Sequence, residues 1–313
     1  IIDTWNEGNV ADVEGYYENA KINRVYVDRV HVKKAFAEYT AAYNADDPKI
    51  KLKIDHTYRV AALCERIAKA AGMCAYDVEL AWLSGMLHDV GRFEQIKRYN
   101  TFSDADSVDH AKFGADLLFK DGLISTFLNG MVKCTGYKLG ALEDRYSSDG
   151  VFLYDRLNKS DMEMLELAIR CHNMYRIPQG LNRREQAFCN VLRDADKVDI
   201  FKVNIDTPLE EIYNTTTEEL MKSNITDEVL EAFDEEHCIL KAIRRTPADT
   251  VIGHVSLAYE LVYDESVRIT VEQGYLAKLM HFHSDNEETN RKMAMVREKM
   301  DSYVKKRIGE KDA

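Results

Sequence analysis

The sequence predicts an all-α protein, and three observations carry that reading. Glycine and proline are scarce, 15 and 4 in 313 residues, so few helix-interrupting residues are present. Apolar side chains recur at helical spacing along nearly the whole chain, while the alternation that marks strands is almost absent. Hydrophobic residues make up 45% of the chain and charged residues 31%, which suits a packed core and excludes a mainly disordered chain.

The elements follow in order. From about 16 to 43, Val25, Val32, Phe36 and Tyr39 share one face, and Asp46-Asp47-Pro48 breaks the helix. A second helix from about Ile54 to Ala71 carries His56, Val60, Leu63 and Ile67 and stops at Gly72. A third, about Tyr76 to Leu87, runs into Leu87-His88-Asp89-Val90-Gly91-Arg92. A fourth opens near Asp106 and passes His110, Phe113 and Leu117 before Gly122. Thr135 to Gly150, rich in glycine, serine and mixed charge, reads as the one substantial loop, either a lid or a plain connection.

Helices resume from about Asp161 to His172 and from about Arg183 to Phe201. The rest reads as helical, with Pro208 and Pro247 near helix starts and a charged, solvated helix from about Glu287 to Lys306. With no repeat or low-complexity linker, the chain divides into a helical extension (1–47), a main helical domain (48–283) and a charged C-terminal helix (284–313).

Lys and Arg total 42 against 54 Asp and Glu, a net charge of −12. That excludes a general surface for extended nucleic acid but leaves room for a small basic pocket holding one phosphate. The longest uncharged stretch, about 122–132, is too short for a bilayer, and Ile1-Ile2-Asp3-Thr4-Trp5 shows no secretory pattern. Six cysteines are scattered without a CxxC pair and read as reduced, mostly buried thiols. A cytoplasmic protein with no membrane contact is the expectation.

Four of the nine histidines fall at inward-facing positions of successive helices: His56, His88, His110 and His172. Neutral imidazole is the commonest protein ligand for first-row transition metals, and carboxylates complete or bridge such sites. In Arg193-Asp194-Ala195-Asp196-Lys197-Val198-Asp199, Phe188, Val191, Leu192 and Ala195 define one helix face. Asp196 borders that face, Asp199 lies within it and Asp194 points the other way, which selects Asp196 as a ligand and Asp199 as its support. His281 and His283, without a partner His or Cys nearby, read as a solvent-facing helix end.

The ordered set His56, His88-Asp89, His110, His172, Asp196, each on its own helix, resembles the HD-domain superfamily of metal-dependent phosphohydrolases over about Lys53 to Phe201. The resemblance implies an HD-type helical bundle. His56, His88, Asp89 and Asp196 match the four-ligand core of that superfamily, and His110 and His172 match the extra histidines of its dinuclear members. Two divalent transition-metal ions (Fe, Mn, Ni or Co) bridged by Asp89 are implied. So is a metal-bridging hydroxide that cleaves a small nucleotide-like or dinucleotide-like phosphoester.

Basic and polar neighbours add expectations. Arg92 follows the His-Asp pair and is placed with Asp89 in the catalytic group, while Arg59, Lys197, Asn173 and Arg176 are candidates for holding phosphate. For Arg59 and Lys197 a salt bridge to Asp55 or Asp199 is equally consistent. The segment Asn173-Met174-Tyr175-Arg176-Ile177-Pro178 lacks the Gly-Tyr-Pro signature of the cyclic-dinucleotide phosphodiesterases. Arg92 stands where the mononuclear nucleotidases tend to carry a catalytic Glu, so both branches fit less well. The same ligands also resemble the di-iron oxygenase branch typified by myo-inositol oxygenase, and a non-catalytic ligand-sensing module is a further alternative.

Overall fold

Several helix starts, those of the two longest helices among them, are set by short polar side chains that satisfy the first free backbone N–H groups. Asp47 accepts a bond from the Lys49 N–H, and Pro48 supplies a preset first residue. Asn182 and Glu185 form a reciprocal capping box. The two helices so started, α2 (Pro48–Ala70) and α8 (Arg183–Asp206), are the longest of the described residues.

The computed structural model describes residues 23–309 except 26, 45, 129–145, 148–149, 155–156 and 158, with backbone alone for 23–25, 146–147 and 150–154. The order begins β1 (Asn23–Val25), α1 (Arg29–Thr40), α2, α3 (Ala75–Leu87), α4 (Val90–Tyr99) and α5 (His110–Ala115). It continues α6 (Ile124–Leu128), β2 (Tyr146–Ser147), β3 (Gly150–Tyr154), α7 (Lys159–Cys171) and α8. The C-terminal part holds α9 (Leu209–Tyr213), α10 (Thr217–Lys222), α11 (Asp227–Asp234), α12 (Pro247–Val255), α13 (Asp264–Gln273), α14 (Tyr275–Met280) and α15 (Glu287–Ile308).

The protein is an all-α bundle of the expected class, built around α8, which packs against α2, α3, α7, α13 and α14. Val191, Leu192, Ala195 and Val198 of α8 and Val60, Ala61, Cys64 and Ile67 of α2 are fully or almost fully buried in one continuous core. No described helix is long and apolar enough to cross a membrane. All five described cysteines are unpaired.

Four local expectations are corrected. The first helix begins at Arg29, capped by Asp28, and 23–25 form a strand; residues 16–22 lie outside the described part. Asp46-Asp47-Pro48 starts α2 rather than merely ending α1, because a cap followed by proline suits a first turn. The described end of the expected 135–150 loop is β2 and the start of β3, in a small sheet of order β1-β3-β2, with β1 parallel and β2 antiparallel to β3. Strands this short leave no readable alternation. The C-terminal helix is not merely solvated: Met293, Val296, Met300, Val304 and Ile308 of α15 are buried.

Two helix contacts position the chemistry. A Cβ on Gly85 of α3 would come within 2.6 Å of the Ala61 Cα, so glycine lets α2 and α3 touch backbone to backbone. A Cβ on Gly91 would lie 2.4 Å from the His110 carbonyl oxygen and 2.7 Å from the Gly114 N. That close crossing brings the start of α5 against the His88-Asp89 corner between α3 and α4.

Candidate metal centre

The six residues singled out in the sequence come together in one buried cluster. His56 projects from α2, His88 and Asp89 form the α3–α4 junction, His110 opens α5, His172 follows α7, and Asp196 lies on α8. All but Asp196 are almost fully buried, and Asp196 keeps 16% of its side chain exposed.

Each imidazole is held from behind. The Nδ1 atoms face Asp199 Oδ2 at 2.6 Å (His56), the Gly85 carbonyl at 2.8 Å (His88), Asp104 Oδ2 at 2.7 Å (His110) and the Ile169 carbonyl at 2.7 Å (His172). Every one of these partners accepts, so each Nδ1 carries a proton and each Nε2 presents a lone pair inward. Yet the Nε2 atoms of His56 and His88 lie 3.3 Å apart, and those of His110 and His172 lie 3.1 Å apart. Lone pairs that face one another in a dry cluster need a cation between them.

Asp89 divides its carboxylate between the two pairs. Its Oδ2 is 3.6 Å from the Nε2 of both His56 and His88. Its Oδ1 is 3.5 Å from that of His110 and 3.7 Å from that of His172, and it is buried without a hydrogen bond. Asp196 Oδ1 joins the first group, 3.2 Å from His56 Nε2 and 3.9 Å from His88 Nε2. Donors placed about 2.0–2.2 Å from one ion lie roughly 3–3.6 Å from each other. The spacings therefore fit one ion among His56, His88, Asp89 and Asp196, and a second among Asp89, His110 and His172. Groups of His56, His88 and Asp196 and of His88, Asp89 and His172 each offer ligand atoms within 4.8 Å of one another. An imidazole and carboxylate donor set suits divalent transition metals.

The protonation states agree with that use. Burial pushes His88 down to about 3, and burial with the charge of Arg92 pushes His110 down to about 4. Burial opposes ionisation of Asp89, but Lys53 and the imidazoles outweigh it and hold the carboxyl well below the usual range. Asp196 is lowered in the same way, against burial, by His56. His56 is the exception: burial and Lys53 lower it, but Asp196 and Asp199 together raise it. A cation between His56 and Asp196 would take the place of that proton.

Surrounding residues differ from expectation. Arg59 binds Asp199 through Nε at 2.6 Å and Nη2 at 2.9 Å, so it supports the carboxylate behind His56 and is committed to the salt bridge rather than to phosphate. Lys197 is buried, reaches among the described residues only the Arg193 carbonyl at 3.4 Å, and burial lowers it to about 8. Asn173 donates to Asp109 Oδ1 at 2.9 Å and Asp104 Oδ2 at 3.3 Å, bracing the group behind His110. Arg176 is exposed, with its guanidinium 5.6 Å from the Tyr175 ring. Arg92 donates through Nη1 to Gln95, the Phe102 carbonyl and Asp104, while its buried Nε makes no hydrogen bond among the described residues and lies 3.8 Å from Asp89 Oδ1. Asp194, two residues before Asp196, accepts from the Val262 and Tyr263 N–H groups and the Ser266 hydroxyl.

Three residues escaped the sequence reading. Lys53, one turn before His56, donates to Asp89 Oδ2 at 2.7 Å. Asp104 accepts from His110, Arg92 and Gln95 and is held well below its usual range, burial notwithstanding, by His110 and Arg92. Arg193 donates to the main-chain carbonyls of Cys171, His172, Met174 and Tyr175, closing the end of α7 that delivers His172. The i, i+3 spacing of Lys53 to His56 was a usable signal; Asp104 and Arg193 had none.

A helical bundle with His–Asp clusters at its centre defines an α-helical domain whose buried side chains could hold metal ions. Residues 54–204 match the family model of the HD domain, and the chain carries an HD domain over that segment. Among curated proteins and among solved structures, nothing matches the chain significantly.

Proposed function

We propose that the chain is a metal-dependent phosphohydrolase that cleaves a small phosphoester at a two-ion centre. The observation that carries the reading is the inward convergence of four Nε2 lone pairs on the two oxygens of Asp89, each imidazole braced from behind. Bound ions would supply Lewis acidity toward a phosphoryl oxygen and lower the pKa of a water. The chain's own residues do the rest. Asp199 and Asp104 fix the tautomers of His56 and His110 and raise their basicity as ligands.

Lys53 and Arg92 put two cations beside the bridging carboxylate. With Asp89 holding metal, the Lys53 ammonium and the Arg92 Nε–H, which makes no hydrogen bond among the described residues, would be the donors nearest to phosphate oxygens. The exposed part of the cluster belongs to Lys53, Asp196 and Asp104, at 17%, 16% and 32% of their side chains, so substrate meets these first. Those cations favour a phosphorylated substrate over the runner-up reading, a di-iron oxygenase on the same ligands.

The test is elemental analysis and a phosphoester panel on wild type and Asp89→Ala. Two ions per chain with phosphate release, both lost in the variant, is the expected result. Iron with O₂ consumption and no phosphate release transfers the assignment to the oxygenase. A loaded protein that turns over nothing yet binds a nucleotide tightly makes it a sensing module.

A further inference from the structure

Behind the loop that follows His172 lies an open cavity of about 430 Å³, lined among others by Tyr175, Arg176, Gln186, Asn190, Arg193 and Glu260. None of the six metal ligands lines it. Its size is that of a small-molecule pocket. Its charges do not balance: two guanidiniums, Arg176 and Arg193, face the single carboxylate of Glu260.

Arg193 is 93% buried by its 7% exposure, and among the described residues it has no carboxylate partner. Its Nη1 and Nη2 bind main-chain carbonyls, which leaves its charge without a carboxylate partner among the described residues. Buried charges are ordinarily paired. Lys197, one turn along α8 and also buried, forms no ion pair among the described residues either; the Asp194 carboxylate nearby is taken up by Val262, Tyr263 and Ser266. The walls are suited to an organic body: Tyr175, Ile177, Pro178, Leu181 and Val262 give apolar surface. The Gln186 and Asn190 carboxamides add donors and acceptors with no partner of their own among the described residues.

We propose that this cavity is a second ligand site, separate from the metal centre, that takes a small organic oxyanion with its charged head on Arg193 and Arg176. Arg193 also ties the carbonyls around His172. An anion seated there therefore holds the very side chain that fixes the end of α7, and the two sites share one brace. The proposal stands independently of hydrolysis, because the cavity is complete without metal.

Calorimetric titration of the full chain stripped with EDTA tests it. The probes are AMP and GMP as organic phosphates, benzoate and glutarate as organic carboxylates, and inorganic phosphate. At least one organic probe should bind more tightly than inorganic phosphate. Arg193→Gln should weaken binding about tenfold or more, the loss of a charged hydrogen-bonding partner. Arg176→Gln, at an exposed position that cannot unfold the core, should weaken it several-fold, and Arg193→Lys should restore part of what Arg193→Gln loses. Lys53→Ala should leave it unchanged. The proposal fails if no organic probe binds, if inorganic phosphate binds as tightly as the organic probes, or if affinity follows Lys53 rather than the two arginines.

Discussion

The two halves of the candidate metal centre are built differently. The half formed by His56, His88 and Asp196 has two ligand candidates inside the long helices α2 and α8 and the third, His88, just after α3; these helices pack together in the core, with Asp199 and Arg59 behind His56. The half formed by His110 and His172 stands on the first residue of a six-residue helix and the residue just after another. Its braces, Asp104, Asn173 and Arg193, come from turns and from a neighbouring helix. The first half is held by packing and the second by a hydrogen-bonded scaffold. The second ion should therefore be the weaker and the more easily lost.

The largest effect falls on both halves at once: Asp89→Ala should take the metal count from two to none and hydrolysis with it. His172→Ala comes next and should separate the halves, leaving one ion per chain by elemental analysis. Retention of two ions would show that His172 is no ligand. Gly91→Ala should act in the same direction without touching a ligand, because the added methyl pushes α5 away from the His88-Asp89 corner. A variant that keeps the second ion at full occupancy would refute that account of the crossing.

Smaller effects probe the braces. Asp104→Asn should weaken the second ion about 10–100-fold and Asp199→Asn the first by a similar factor, measured by competition with a chelator. If Asp104→Asn spared the second ion, the asymmetry would rest on something other than its scaffold.

The smallest effect is on the metal-free protein. The buried His88 and His110 have native values of about 3 and 4, below the unfolded value near 6.5, and His254 is likewise pushed down to about 3 by burial. Between pH 6.5 and 4 the unfolded chain thus binds more protons at these groups, so they cost stability as pH falls. His56, which is raised, opposes them but is outnumbered. In EDTA the melting temperature should drop through that window; a flat profile would contradict the neutral imidazoles.

How much of this was legible in the sequence follows the same divide. The long helices and the side chains that converge from them could be read because periodicity fixes which face His56 or Asp196 presents, and helix geometry alone separated Asp196 and Asp199 from Asp194. Lys53 had a signal in its i, i+3 spacing to His56, but it stood as one lysine among Lys49, Lys51 and Lys53 at the start of α2. Asp104 was hidden because a turn has no period. The placement of Arg59 on Asp199 depends on a distance between α2 and α8 that no local pattern encodes, so it stayed open until the two helices were side by side. Substrate identity is not local either, since it depends on which loops border the opening.

One detail of α8 reaches beyond the catalytic question. Asp194 and Asp196 stand two residues apart on the same helix, one nailing the start of α13 and the other turned toward the imidazoles. The matched HD segment ends at residue 204, but the anchor that Asp194 grips lies near 262. Severing the chain after 204 would strand a buried carboxylate and strip the outer flank of the rod that aims Asp196. The boundary of the recognisable module and the boundary of the mechanical unit are not the same line.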